Sequence, residues 1–177
     1  MMILALDLAG TTGYAVGEPG KRPAHALISA PRHYDPHQSL LFFGKAMRNL
    51  IRCNGVERIV VEAPFAYNIK TYRSLVTHHV VMRYVAAEIG LGAHQVTEIN
   101  SQVWRKECNI PTQAPLHVRD GREWLKGKAH EHCARHGLRP ATDDEAEALC
   151  IWLYAVARFP RERVNERLPL FDVTPAA

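Results

Sequence analysis

The chain has 177 residues, 47% of them apolar and 23% charged, which suits a single globular domain with a sizeable core. No apolar run reaches the length of a membrane span, and Met1 leads straight into an apolar strand without the basic start or cleavage site of a secretion signal. Cys53, Cys108, Cys133 and Cys150 are scattered with no CxxC pair, so a zinc ribbon or disulfide framework is disfavoured and a reducing, cytoplasmic setting is expected.

Taken in chain order, Met2–Leu8 (MILALDL) is a continuous apolar run, the mark of a central strand buried on both sides. Gly10 to Gly13 reads as a turn, and Tyr14–Val16 begins a second strand. Pro19, Gly20 and Pro23 mark another turn before a third strand at Ala24–Ser29. Such short connections predict antiparallel neighbours. Ser39 is the expected N-cap of a helix carrying Leu40, Leu41, Phe43, Met47, Leu50 and Ile51, ending near Asn54-Gly55. Arg58–Glu62 (RIVVE) follows as a strand reached through a crossover helix, hence parallel to its neighbour.

Thr71 to Ile89 reads as a long helix, apolar at Leu75, Val76, Val80, Tyr84, Val85 and Ile89, and Gln95–Ile99 as a fifth strand. A short basic segment around Trp104 comes next, then a proline-containing loop. Helices are expected from about Arg119 to His136 and from about Asp143 to Arg158. The order predicts an α/β protein: a five-stranded mixed sheet, three antiparallel strands then two parallel, with helices on both faces. That is the ribonuclease H-like order, filling residues 1–160, with 161–177 a charged, loose tail.

The chemistry resides in carboxylates. Asp7 sits near the end of the first strand and Glu62 ends the fourth, so the two emerge at one edge of the sheet, where open sheets with parallel strands build sites. A charge that finishes a buried strand is costly unless partnered. Two carboxylates held together raise each other's pKa, and a divalent cation relieves the conflict. The segment TDDEAEALCIW adds Asp144 and Glu147, three apart on one helix face, with Asp143 as an alternate. Thr142 as a cap, with acids favouring the positive end of the helix dipole, explains Asp143 to Glu145 well and Glu147 less well, since Glu147 falls on the apolar side between Ala146 and Ala148. Four carboxylates without a His or Cys framework suit Mg2+, with Mn2+ as a substitute, and two ions per site would support phosphodiester hydrolysis leaving a 5′-phosphate.

A formal charge of +4 says little about partners, but Arg105, Lys106, Arg119, Arg122, Lys126, Lys128, Arg135 and Arg139 crowd into one stretch. They fit either a polyanion or a solvated helix face.

The segments LALDLAGTTGYAV, IVVEAPFAY, VWRK and LKGKAHEHCARHGLRPATDDEAEALCIW together resemble RuvC-like Holliday-junction resolvases, especially those carried by phages and prophages. The likeness runs from about Met2 to Ala157. It implies a homodimer that nicks four-way DNA junctions in pairs. Asp7, Glu62, Asp144 and Glu147 match the family's metal-binding acids, although the family more often has aspartate where Glu147 stands. Phe65 matches an aromatic that wedges against bases at the crossover, the alternative being a packing role. Lys126 matches a basic residue that contacts the scissile phosphate, with Lys128 as its alternate. Tyr67, Asn68, Lys70, Arg73, Arg105 and Lys106 complete the candidate DNA contacts.

His132 and His136 have a spacing that can hold zinc, but no third ligand is evident and surface histidines are the simpler reading. Trp104 either stacks on bases or packs, and packing is favoured. His78 and His79 read as helix-face residues. Asp7 followed by Gly10, Thr11 and Thr12 also resembles the phosphate loop of actin-like ATPases and sugar kinases, the strongest rival enzyme. A silent module that binds branched DNA is the rival of another class.

Overall fold

The computed structural model describes residues 1–65 and 68–166, with side chains through Phe159. The strands are β1 (Ile3–Asp7), β2 (Thr11–Gly17), β3 (Ala24–Ser29), β4 (Arg58–Glu62) and β5 (Val96–Ile99), ordered β3-β2-β1-β4-β5. β1, β2 and β3 pair antiparallel, while β4 runs parallel to both β1 and β5. This is the expected mixed sheet. The helices are α1 (Pro36–Asn54), α2 (Ile69–Ile89), α3 (Ser101–Glu107), α4 (Gly121–Arg135) and α5 (Asp143–Glu166).

Strand periodicity divides the core. Leu4 and Leu6 of β1 join Ile59 and Val61 of β4 against α1 and α2, among Phe43, Met47, Met82 and Val85. Ile3 and Ala5 join Val60 on the opposite face, beneath Trp104, Ala129, Cys133, Leu149 and Cys150 from α3, α4 and α5. Successive side chains alternate across a strand, so Asp7 follows Ile3 and Ala5, and Glu62 follows Val60. Both carboxylates therefore fall on the α5 face. The register aligns Leu6 with Val61, which brings Asp7 and Glu62 out at the same edge.

Several boundaries differ from expectation, each for a local reason. β2 starts at Thr11, because Thr11 and Thr12 pair with Ser29 and Ile28 as strand residues. Ser39 does not cap α1. Asp35 does, in a capping box with Gln38 and with Pro36 opening the helix, so the chain turns helical four residues earlier. α2 begins at Ile69 because the Asn68 side chain accepts from the amides of Lys70 and Thr71. Val80 and Tyr84, assigned to its apolar stripe, are exposed; the buried stripe is His79, Met82, Val85 and Ala86. β5 starts at Val96 after a 3-10 turn at Ala93–Gln95. The basic segment at Trp104 is the helix α3. α5 passes through Pro160 to Glu166, across the boundary expected at 160, and 167–177 lie outside the described residues. All four cysteines are free thiols, and no described helix is long and apolar enough to cross a membrane.

Candidate functional site

α5 is what completes the carboxylate edge. It lies across β1 and β2, and Gly13 and Gly17 of β2 allow it to come close. A Cβ on Gly13 would stand 2.0 Å from the Asp144 carbonyl oxygen, and one on Gly17 would stand 3.3 Å from the Trp152 ring. Gly13 is also the pairing partner of Asp7. The missing side chain thus seats the first turn of α5 directly beside the end of β1. The Thr142 hydroxyl accepts from the Glu145 amide, and Glu145 turns inward to meet His25 of β3 at 2.8 Å and the Ala141 amide at 3.2 Å. The capping explanation of the acidic turn is therefore correct for Glu145, and it leaves Asp144 and Glu147 for the site.

Asp7, Glu62, Asp144 and Glu147 line one cavity of about 560 Å³, with Phe65, Asn68, His79, Arg122 and Lys126 around it. Crowding shows in their acidity. Asp7 is pushed well above the ordinary aspartate pKa, chiefly by burial, then by the charges of Glu147, Glu62 and Asp144. Burial raises Glu62 to about 7, against a lowering hydrogen bond from Trp104; Glu147 raises it and Arg105 lowers it. Asp144 is raised by burial against the pull of Lys126. Asp143 behaves oppositely. Its carboxylate meets Lys126 at 2.7 Å and His130 at 3.1 Å, and these partners hold its pKa down. Asp143 is thus committed to α4 and does not line the cavity.

α3 grips the site from beneath. Trp104 is wholly buried, settling packing over stacking, and its indole N–H donates to Glu62 Oε2 at 2.8 Å. Arg105, expected among the DNA-facing cations, is instead only 9% exposed and ion-paired with Glu147. Among the other candidate DNA contacts, Phe65 is 67% exposed at the cavity rim, and Lys70, Arg73 and Lys106 are exposed. Asn68 lies at the rim with its side-chain oxygen engaged in the α2 cap. Lys128 stands apart from the cavity, over the Trp124 ring and paired with Glu131 at 2.8 Å. Tyr67 lies outside the described residues.

Among the lining residues without a site role in the sequence analysis are two with titratable or charged side chains, His79 and Arg122. His79 is buried and lies 3.2 Å from Glu98; burial lowers its pKa. Its spacing with Met82 and Ala86 was the available signal. Arg122 stands one turn before Lys126 on α4. His132, by contrast, is buried against His136, away from the carboxylates.

The four carboxylates form an oxygen donor set that suits hard divalent cations, while the lining histidine, His79, is paired with Glu98. As they stand, no three metal-competent side chains among the described residues are drawn together to hold an ion. Trp104 and Arg105 hold Glu62 and Glu147 by other contacts.

Solved structures share this fold. Thermus thermophilus RuvC in complex with a Holliday junction substrate superposes at a TM-score of 0.68, with 15% identity over 92% of this chain and 96% of that one. The fold is that of RuvC. A second Thermus thermophilus RuvC structure gives a TM-score of 0.66 and 16% identity, covering 90% of this chain and 97% of that one. Ydc2, the yeast mitochondrial Holliday junction resolvase, gives 0.53 and 12%, covering 92% and 83%. No protein-family model matches the sequence, and no curated protein matches it. At these identities the RuvC likeness is one of backbone, and what the site does must be argued from its own residues.

Proposed function

We propose that the protein is a metal-dependent, structure-selective DNA endonuclease that resolves four-way junctions. The observation that carries this reading is the convergence of Asp7, Glu62, Asp144 and Glu147, from three separate elements, on one cavity rimmed by Arg122 and Lys126. These four acids would hold Mg2+, with Mn2+ as substitute and two ions per site. What such ions supply when bound is activation of water and neutralisation of charge on the phosphate. The chain's own part is positional. Arg122 and Lys126 hold a phosphate at the cavity mouth, and Asp143 keeps Lys126 aimed from α4. Phe65 offers a stacking face beside the acids to a base already unpaired at a branch. Lys70, Arg73 and Lys106 extend the basic surface along the backbone of the arms.

Paired nicking needs two sites, and the apolar groove between α1 and α2 supports a homodimer. It is lined by Leu40, Leu41, Val81 and Tyr84, with Leu41 and Tyr84 largely exposed. We place the enzyme in the cytoplasm, acting on branched DNA, and of the type carried by phages and prophages. The ATPase reading loses its main feature at Thr12. That side chain is buried and its hydroxyl donates to the Ala9 carbonyl at 3.0 Å, so it closes the β1–β2 turn instead of presenting to a phosphate. A silent DNA-binding module has no use for four crowded acids.

The test is cleavage of a panel of branched and linear DNAs with magnesium, manganese or calcium. Asp7→Asn and Glu62→Gln should abolish nicking while junction binding persists. Wild-type rates in either variant, or nucleotide hydrolysis without DNA, would remove the reading.

A further inference from the structure

One of the acids lining the carboxylate cavity, Glu147, is already held by a cation of the protein itself. Asp143 engages Lys126, and Arg122 is exposed at the rim. Among the described residues, the positive charge buried between the acids is Arg105. Its guanidinium pairs with Glu147 through Nη2, stacks 4.4 Å from the Trp104 ring centroid, and leaves Nη1 buried without a hydrogen-bond partner. A buried guanidinium with an idle arm is poorly solvated, so the negative charge of Glu147 and the face of the Trp104 ring must compensate its burial. Glu147 is also the neighbour that acts most strongly on Asp7. Glu147 lines the same cavity as Asp7, and it is the carboxylate Arg105 holds.

We propose that Arg105 is a built-in counter-cation that competes with the divalent ion for Glu147, neutralising the cluster in metal-free protein and yielding when metal binds. The proposal rests on reading these acids as metal ligands. Arg105 is then a positioning residue whose charge sets the metal affinity of the site and stabilises it when no metal is present. Two cations cannot both take full value from one carboxylate, so removing the internal one strengthens binding of the external one. A guanidinium that served only to aim Glu147 would act oppositely: without it, the ligand is less ordered and metal binds more weakly.

Mn2+ binding, read from the electron paramagnetic resonance signal of the free ion, separates these cases without any cleavage assay. Arg105→Gln should bind Mn2+ roughly tenfold more tightly than wild type, toward the lower end of ordinary coupling between sites. Its metal-free melting temperature should fall, and Mn2+ should restore it. Arg105→Lys keeps the charge and should retain near wild-type affinity. Unchanged or weaker binding by Arg105→Gln overturns the proposal, as does an equal gain in Arg105→Lys. If Arg105→Gln unfolds in EDTA, Mn2+ should refold it as followed by circular dichroism, and failure to refold also overturns it. Absence of Mn2+ binding in wild type and variants alike removes both this proposal and the nuclease reading. Tight wild-type binding with no gain in Arg105→Gln removes this proposal alone.

Discussion

Gly13→Ala is the sharpest probe of how the site is built, because one methyl group tests whether close strand–helix packing sets the carboxylate geometry. The new Cβ would lie 2.0 Å from the Asp144 carbonyl oxygen and 2.4 Å from its carbon, whereas ordinary contact begins at 3.4 Å. The first turn of α5 would have to retreat by 3.4 − 2.0 = 1.4 Å, or β2 would have to leave its pairing with Asp7. Both partners are main chain, so no rotamer change relieves the clash. Overpacking of this kind costs about 1–3 kcal/mol, and the rigid partners place it at the upper end. Asp144 and Glu147 would move with the helix, away from Asp7. Misplacement of reacting groups by about 1 Å can lower a rate by about 10²-fold, so nicking should suffer more than folding. Urea unfolding of metal-free protein gives the first number, and single-turnover cleavage of a four-way junction gives the second. Gly10→Ala serves as control, since nothing lies within 4 Å of its Cβ position. A Gly13→Ala variant as stable and as fast as wild type would refute the packing argument.

Three further outcomes are expected. Phe65→Ala should slow junction cleavage about tenfold, from a stacking contribution of roughly 1–3 kcal/mol, while duplex binding and its salt dependence stay unchanged; unaltered junction cleavage assigns Phe65 to loop packing. For Glu62, the folded pKa of about 7 exceeds its ordinary 4.5, so between those values the folded state binds more protons than the unfolded one. Stability in EDTA should therefore fall as pH rises from about 5 to above 7, by about 3 kcal/mol for that group alone, and urea unfolding at both ends tests it; stability that rises across the window contradicts the assignment. Leu41→Glu combined with Tyr84→Glu should convert a dimer to a single 19.9 kDa species by light scattering, and wild type that is already monomeric at micromolar concentration removes the dimer.

The fold was legible because its strands carry unusually plain signals. The uniform apolar run of β1 matches burial on both faces, and period-two alternation together with the β1–β4 register places Asp7 and Glu62 on one side of the sheet. Helix starts were harder, because several residues compete for a cap. Ser39 has a capping side chain, but Asp35 followed by Pro36 and Gln38 satisfies more of the open amides. The apolar residues of α2 misled in another way: Val80 and Tyr84 extend its stripe in sequence yet face outward. Hydrophobicity marks a surface that wants cover, and it does not say whether the sheet or a second subunit provides it.

Charge was the least legible property of the site, because composition is blind to direction. The basic stretch fitted either a polyanion-binding surface or a solvated helix face, yet its members have different roles. Lys106 faces solvent, Lys126 is turned to Asp143, Lys128 to Glu131, and Arg105 is buried against Glu147. The same limit applies to the acids. Asp143 and Asp144 are interchangeable on paper, and only α4 decides between them, by placing Lys126 and His130 within reach of Asp143. Glu145 is taken by His25 from a strand 120 residues away in sequence. What remains after these pairings is Asp7, Glu62 and Asp144, each raised in pKa by burial, with Glu147 answered by one guanidinium. Such a cluster holds more negative charge than its own cations neutralise. A metal-binding reading therefore depends less on the number of acids in the sequence than on which of them the fold leaves without a compensating cation.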